Sequence, residues 1–93
     1  MAGWSKNMVS GALYEIRVNE ILSQREAECL LAVADGQRLN VTAKHLGISA
    51  KTVEVHLRNT RKKLGAATTT HALAIAISRG IAQPAESDFA AAA

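Results

Sequence analysis

The chain has 93 residues, with 11 Lys and Arg against 8 Asp and Glu and only three aromatics, Trp4, Tyr14 and Phe89. That length holds one small domain with a limited core, and an aliphatic, aromatic-poor mix suits packed helices better than strands. A lone Cys29 excludes an internal disulfide, no apolar run is long enough to span a bilayer, and the N-terminus lacks a signal-peptide core, so the expectation is a soluble cytoplasmic protein without a membrane partner.

Residues 1–19 read as a lead-in, flexible or forming a short helix in which Leu13, Ile16 and Ile21 fall near one face. The first firm helix opens at Ser23, a good N-cap. Glu26 three residues on completes a capping box, with Leu22 and Ala27 as a hydrophobic staple. Ala27, Leu30, Leu31 and Ala34 then make an apolar stripe, and Gly36 stops the helix. Cys29 beside that stripe reads as a small buried filler.

Asn40 is expected to cap a short helix over 41–46 that ends at Gly47. Ser49 caps a longer one over 50–64 that ends at Gly65. Thr68 caps a last helix that reaches Arg79 and stops at Gly80. Residues 83–93, with Pro84 and the alanines of the C-terminus, carry no packing signal and read as a tail. No strand-like alternation of useful length stands out. The expected class is all-α, a four-helix domain.

Charge is distributed unevenly. Between Lys44 and Lys63 six Lys or Arg face the single acid Glu54, whereas residues 15–35 hold five acids against Arg17 and Arg25. Such polarity suits a face that meets an anion, although an ordinary solvated basic helix would read the same way. The basic helix has a second pattern: Val53, Leu57, Thr60 and Leu64 line one side, and Lys51, Glu54, Val55, Arg58 and Lys62 lie on or near the other.

The spacing of Ala43, Gly47 and Val53 is what a helix-turn-helix requires. Ala43 must be small where the second helix crosses, Gly47 carries the turn, and Leu46 and Val53 plug the gap between the helices. Together with "LSQRE" at 22–26 and the run Leu46, Gly47, Ile48, Ser49, Lys51, Thr52, Val53, His56, Asn59, Lys63, Leu64 and Gly65, residues 20–82 resemble the LuxR-type helix-turn-helix domain. The segment "KKLGAATTTHALAIAI" looks most like its quorum-sensing branch. The resemblance implies a transcription regulator that binds double-stranded DNA as a homodimer, with the third helix in the major groove and the fourth at the dimer contact. It adds RNA polymerase or a longer LuxR-type regulator as candidate protein partners. Thr42 and Thr60 depart from the family pattern, which has apolar residues there; each hydroxyl is expected to bond back to the preceding turn.

On that footing Arg58 suits a bidentate contact to guanine, Val55 a thymine methyl, and Glu54 either cytosine N4 or the task of pinning Arg58, one turn away. Plain pairing of Glu54 with Arg58 in solvent stays open. Phosphate contacts are expected from Lys51 and Thr52 near the helix start, with Lys44, His56, Arg61 and Lys62 widening the footprint. Leu73, Ala76 and Ile77 in the last helix offer more apolar surface than one small domain needs, which suggests a dimer interface; contact with the N-terminal segment of the same chain is the rival explanation. A second function, a protein-pairing module that modulates a longer regulator, is compatible with the same apolar helix. No nucleophile–base arrangement, phosphate loop or zinc spacing is visible, so neither an enzyme nor a cofactor is expected.

Overall fold

The computed structural model describes residues 7–85. Four helices carry most of them: α1 Gln24–Ala34, α2 Leu39–Leu46, α3 Ala50–Leu64 and α4 Thr69–Ser78. The caps explain the boundaries. Ser23 and Glu26 form a reciprocal capping box, Ser49 accepts from the Thr52 N–H, and Thr68 accepts from the His71 N–H. Gly47 and Gly65 close α2 and α3 in the left-handed conformation, at φ 69° and 70°. The start of α2 differs from expectation. Its N-cap is Arg38, which provides no side-chain bond, and Asn40 lies inside the helix.

The fold is not purely helical. Met8–Ser10 (β1), Tyr14–Arg17 (β2) and Ala82–Pro84 (β3) form an antiparallel sheet in the order β1-β2-β3. In place of the short helix expected in the lead-in stands a hairpin, and Gln83 and Pro84 of the expected tail pair with Glu15 and Tyr14. The reason is a period of two that is easily overlooked. Tyr14, Ile16 and Val18 alternate along the chain, and all three pack on the helical core. Val9, Ile16 and Ala82 stand side by side across the three strands and meet the same core. Pro84 is tolerated because β3 is an edge strand. The flexible reading of residues 1–6 and the tail reading of 86–93 lie outside the described residues.

Two apolar clusters hold the domain. The larger joins the sheet to α1 and α4 through Ile16, Leu22, Leu30, Ala72, Ala76 and Ile81. Leu22 and Ala27, the expected staple, are both fully buried there. The smaller cluster is the helix-turn-helix core: Cys29, Ala43, Val53 and Leu57, with Val33, Leu46 and Ile48 against them. Val53 and Cys29 are sealed, and Ala43 is small where α3 crosses α2. Burying a side chain the size of Val or Leu contributes about 1.5–3 kcal/mol, so these few contacts fix how α3 is presented.

Both buried threonines are satisfied as expected. Thr42 Oγ1 donates to the Arg38 carbonyl at 3.1 Å and lies equally close to Gln37 Oε1. Thr60 Oγ1 donates to the His56 carbonyl at 2.8 Å. No helix among the described residues is long and apolar enough to cross a membrane.

Candidate nucleic-acid interface

α3 has two faces because its sequence has two patterns. Val53, Leu57, Thr60 and Leu64 are buried. Lys51, Glu54, Arg58 and Lys62 are exposed, and Val55 is half-buried among them. Four side chains of the basic face thus project from a helix whose opposite side is clamped by α1 and α2. The start of α3 is stiffened by Ser49, whose Oγ lies 3.0 Å from the Thr52 N–H and 2.9 Å from the Thr52 hydroxyl.

Glu54 and Arg58 share this surface without pairing. The ion pairs among the described residues are Arg25–Glu28 and Lys63–Glu26, and neither involves them. An exposed carboxylate and an exposed guanidinium one turn apart are therefore both free to meet a ligand.

The expected phosphate contacts fall into two groups. Lys51 and Lys62 are exposed on α3, and Lys44 is exposed on α2, beside a hollow that it shares with Ile48 and Ala50 at the start of α3. Thr52, His56 and Arg61 are half-buried, and the side chains of Thr52 and Arg61 are partly committed inside the protein. The Thr52 hydroxyl meets Ser49, and Arg61 Nη1 donates to Thr69 Oγ1 at 3.1 Å.

The expected dimer surface needs correction. Ala76 has no exposed area: it lies inside the larger core cluster, where no second copy can touch it. Leu73 is half-buried and packs on the same cluster, as does Ile75. Most of the apolar excess of α4 is covered by Ile16, Ile81 and Ala82 of its own chain. Ile77 alone of the three stays largely outside, 40 % exposed.

Two residues acquire roles that local sequence patterns did not reveal. Lys63 turns away from the basic face, and its Nζ lies 2.7 Å from Glu26 Oε1, the buried capping-box carboxylate of α1. Burial pushes the Glu26 carboxyl up, but the Lys63 ammonium and the Ser23 hydrogen bonds outweigh it and hold it below its ordinary value. Asp35, at the end of α1, accepts from the Ala12 and Leu13 N–H groups and so fastens the β1–β2 hairpin to the helix. Cys29 is sealed from solvent, and burial, with a smaller push from the nearby Glu28 carboxylate, raises its thiol to about 11.

Comparison with known proteins identifies relatives of the domain as a whole. Residues 20–76 match the family model for bacterial regulatory proteins of the luxR family. The transcriptional activator AhyR of Aeromonas hydrophila is 33 % identical over 87 % of this chain and 34 % of its own length. The HTH-type quorum sensing-dependent transcriptional regulator VjbR of Brucella abortus is 35 % identical over 87 % of this chain and 31 % of its own length. The chain therefore spans about a third of these relatives. Among solved structures, the Vibrio cholerae VqmA dimer, a LuxR-type receptor studied in the absence of its target DNA, aligns with a TM-score of 0.59 at 30 % identity. The alignment covers 82 % of this chain and 34 % of VqmA.

Proposed function

The chain belongs to the luxR family of bacterial regulatory proteins and has that family's DNA-binding domain, and from this premise we propose that it reads an operator in the cytoplasm by laying α3 in the major groove, as one half of a symmetric dimer. One observation carries the proposal: the outward face of α3 bears Lys51, Glu54, Val55, Arg58 and Lys62, while its inward face is locked in the core. The major groove of B-DNA admits a helix with such a face, and its side chains then reach base edges.

Arg58 reads guanine through its two parallel donors, and Val55 packs on a thymine methyl. Glu54 accepts from cytosine N4. A carboxylate in a phosphate-lined groove is unfavourable unless it meets such a donor or pins Arg58 one turn away. Lys51, Lys44 and Lys62 set the register through phosphates, with Thr52, His56 and Arg61 closer in. Ile77 supplies the apolar contact between two copies, which would hold two α3 helices about 34–36 Å apart on an inverted repeat.

The deciding experiment is selection of bound duplexes from a random pool, followed by titration of the winner at several salt concentrations. The expected outcome is a palindromic site whose log affinity falls with log salt at about −0.9 per phosphate neutralised. The exposure of Ile77 also fits a module that pairs with a longer regulator. A protein that dimerises yet selects no duplex and binds none in a salt-dependent way would establish that second reading in place of the first.

A further inference from the structure

Glu54, Arg58 and Arg61 stand four and three residues apart on α3, one stripe of a helix. With Leu39, Leu57 and Thr69 they line an open concavity of about 350 Å³ between α3 and the first residues of α2 and α4. Arg61 is held there: its Nη1 donates to Thr69 Oγ1, the first side chain of α4. A guanidinium has five N–H donors, and this bond uses one. Arg58 has no hydrogen-bond or ion-pair partner among the described residues. Two guanidiniums thus share one hollow, with most of their donors unspent and no carboxylate bound to either.

The ligand that suits this arrangement carries one negative charge over two terminal oxygens, which is what a backbone phosphodiester presents. Accepting from Arg61 leaves the Thr69 hydroxyl its own hydrogen to donate. The first turn of α2, which lacks a side-chain cap, borders the hollow through Leu39. Glu54 lies seven residues from Arg61, about 10.5 Å along the axis at 1.5 Å per residue. It opposes an anion at its own end of the stripe and leaves the Arg61 end favourable.

We infer that this hollow is a phosphate subsite in which Arg61 is the contact and Thr69, acting through it, is the positioning residue. The inference depends on the groove-reading function proposed above and deepens it, since it fixes where α4 stands relative to the DNA backbone. It also divides labour between the two arginines: Arg61, tethered, takes the backbone, and Arg58, untethered, is left to the bases.

The test uses the duplex recovered by selection, bound by the full chain and by Arg61→Ala, Thr69→Val and Thr69→Ser. Affinity is measured over a range of salt and on duplexes with single methylphosphonates placed along each strand. Arg61→Ala should make the log–log salt slope less negative by about 0.9. At one position the methylphosphonate should weaken wild-type binding yet leave Arg61→Ala unaffected. Thr69→Val, nearly the same shape, should lose part of the slope and the sensitivity at that position, and Thr69→Ser should restore both, with thermal unfolding of the two Thr69 variants unchanged. A Thr69→Val protein with the wild-type slope and methylphosphonate profile would overturn the positioning role. A wild-type protein that selects no duplex at all would instead overturn the function beneath it, and that result appears before any variant is made.

Discussion

Lys63, in the last turn of the basic helix, donates to Glu26, the N3 carboxylate that caps α1, across 37 residues of sequence and 2.7 Å of space. The pair ties the first helix to the end of the helix that bears the candidate base contacts. Lys63→Met keeps the aliphatic stem and removes the charge. Bonds to charged groups contribute about 1.5–3 kcal/mol, and solvent at the 43 %-exposed Lys63 side chain discounts that, so the expected loss is about 1 kcal/mol in urea unfolding. The dependence on pH has a definite sign. Glu26 titrates lower in the folded protein than its ordinary 4.5, so its contribution is present above that value and disappears as pH falls through the folded-state pKa. Lys63→Met should flatten this acid limb. An unchanged limb would show that Lys63 does not hold the carboxylate.

The turn of the hairpin is held to α1 by Asp35. A Cβ on Gly11 would overlap Asp35 Oδ2, the carboxylate that accepts from Ala12 and Leu13. Gly11→Ala should therefore displace Asp35 and cost about 1 kcal/mol, the typical net value of a lost hydrogen bond. Asp35→Ala should cost a similar amount. In the double variant the two losses should fall well short of additive, because both remove one interaction. Full additivity in thermal melts would separate the two residues.

Cys29 is a built-in reporter of the helix-turn-helix core. With no exposed area and a thiol pushed up to about 11, it should resist an aromatic disulfide reagent at pH 8 in the native protein. Its modification should follow the unfolded fraction as urea rises. Rapid labelling without denaturant would mean that the cluster of Ala43, Val53 and Leu57 opens readily.

Neutralising Glu54 separates its two effects on DNA. Glu54→Gln removes a charge that repels every phosphate, so affinity for unrelated duplexes should rise. The selected half-site should at the same time lose its preference for cytosine at one position, a change of about 1–3 kcal/mol in discrimination. Equal tightening on all sequences, with an unchanged preference, would leave Glu54 as a brake on non-specific binding only.

Ile77 is exposed enough to change without harm to the fold. Ile77→Glu should leave the unfolding free energy within about 0.5 kcal/mol of wild type, as expected for a surface site. Sedimentation should show the dimer weakened, and binding to a palindromic duplex should lose its cooperativity. A dimer that survives this change uses another surface.

The sequence made the caps legible, because Ser23, Ser49 and Thr68 act within three residues of themselves. The two faces of α3 were equally plain, since a helix of fifteen residues repeats its pattern four times. The sheet was harder. Its strands run three or four residues, too short for alternation to stand out from a helical stripe, and β3 is defined by pairing with a partner 68 residues away. Ala76 was misplaced for a related reason: helical periodicity locates an apolar face, but does not say whether the chain's own strands already cover it. Arg61–Thr69 and Lys63–Glu26 join separate helices and leave no local trace.

The antiparallel order β1-β2-β3 has a mechanical consequence. β1 and β3 run parallel to each other on either side of β2, so opposed pulls on Met8 and Pro84 load both rows of interstrand bonds lengthwise, in shear. Bonds loaded together yield at higher force than bonds peeled apart one at a time. The load path between Met8 and Pro84 therefore runs through the three strands, and α1 to α4, which lie between β2 and β3 in sequence, are outside it while the sheet holds.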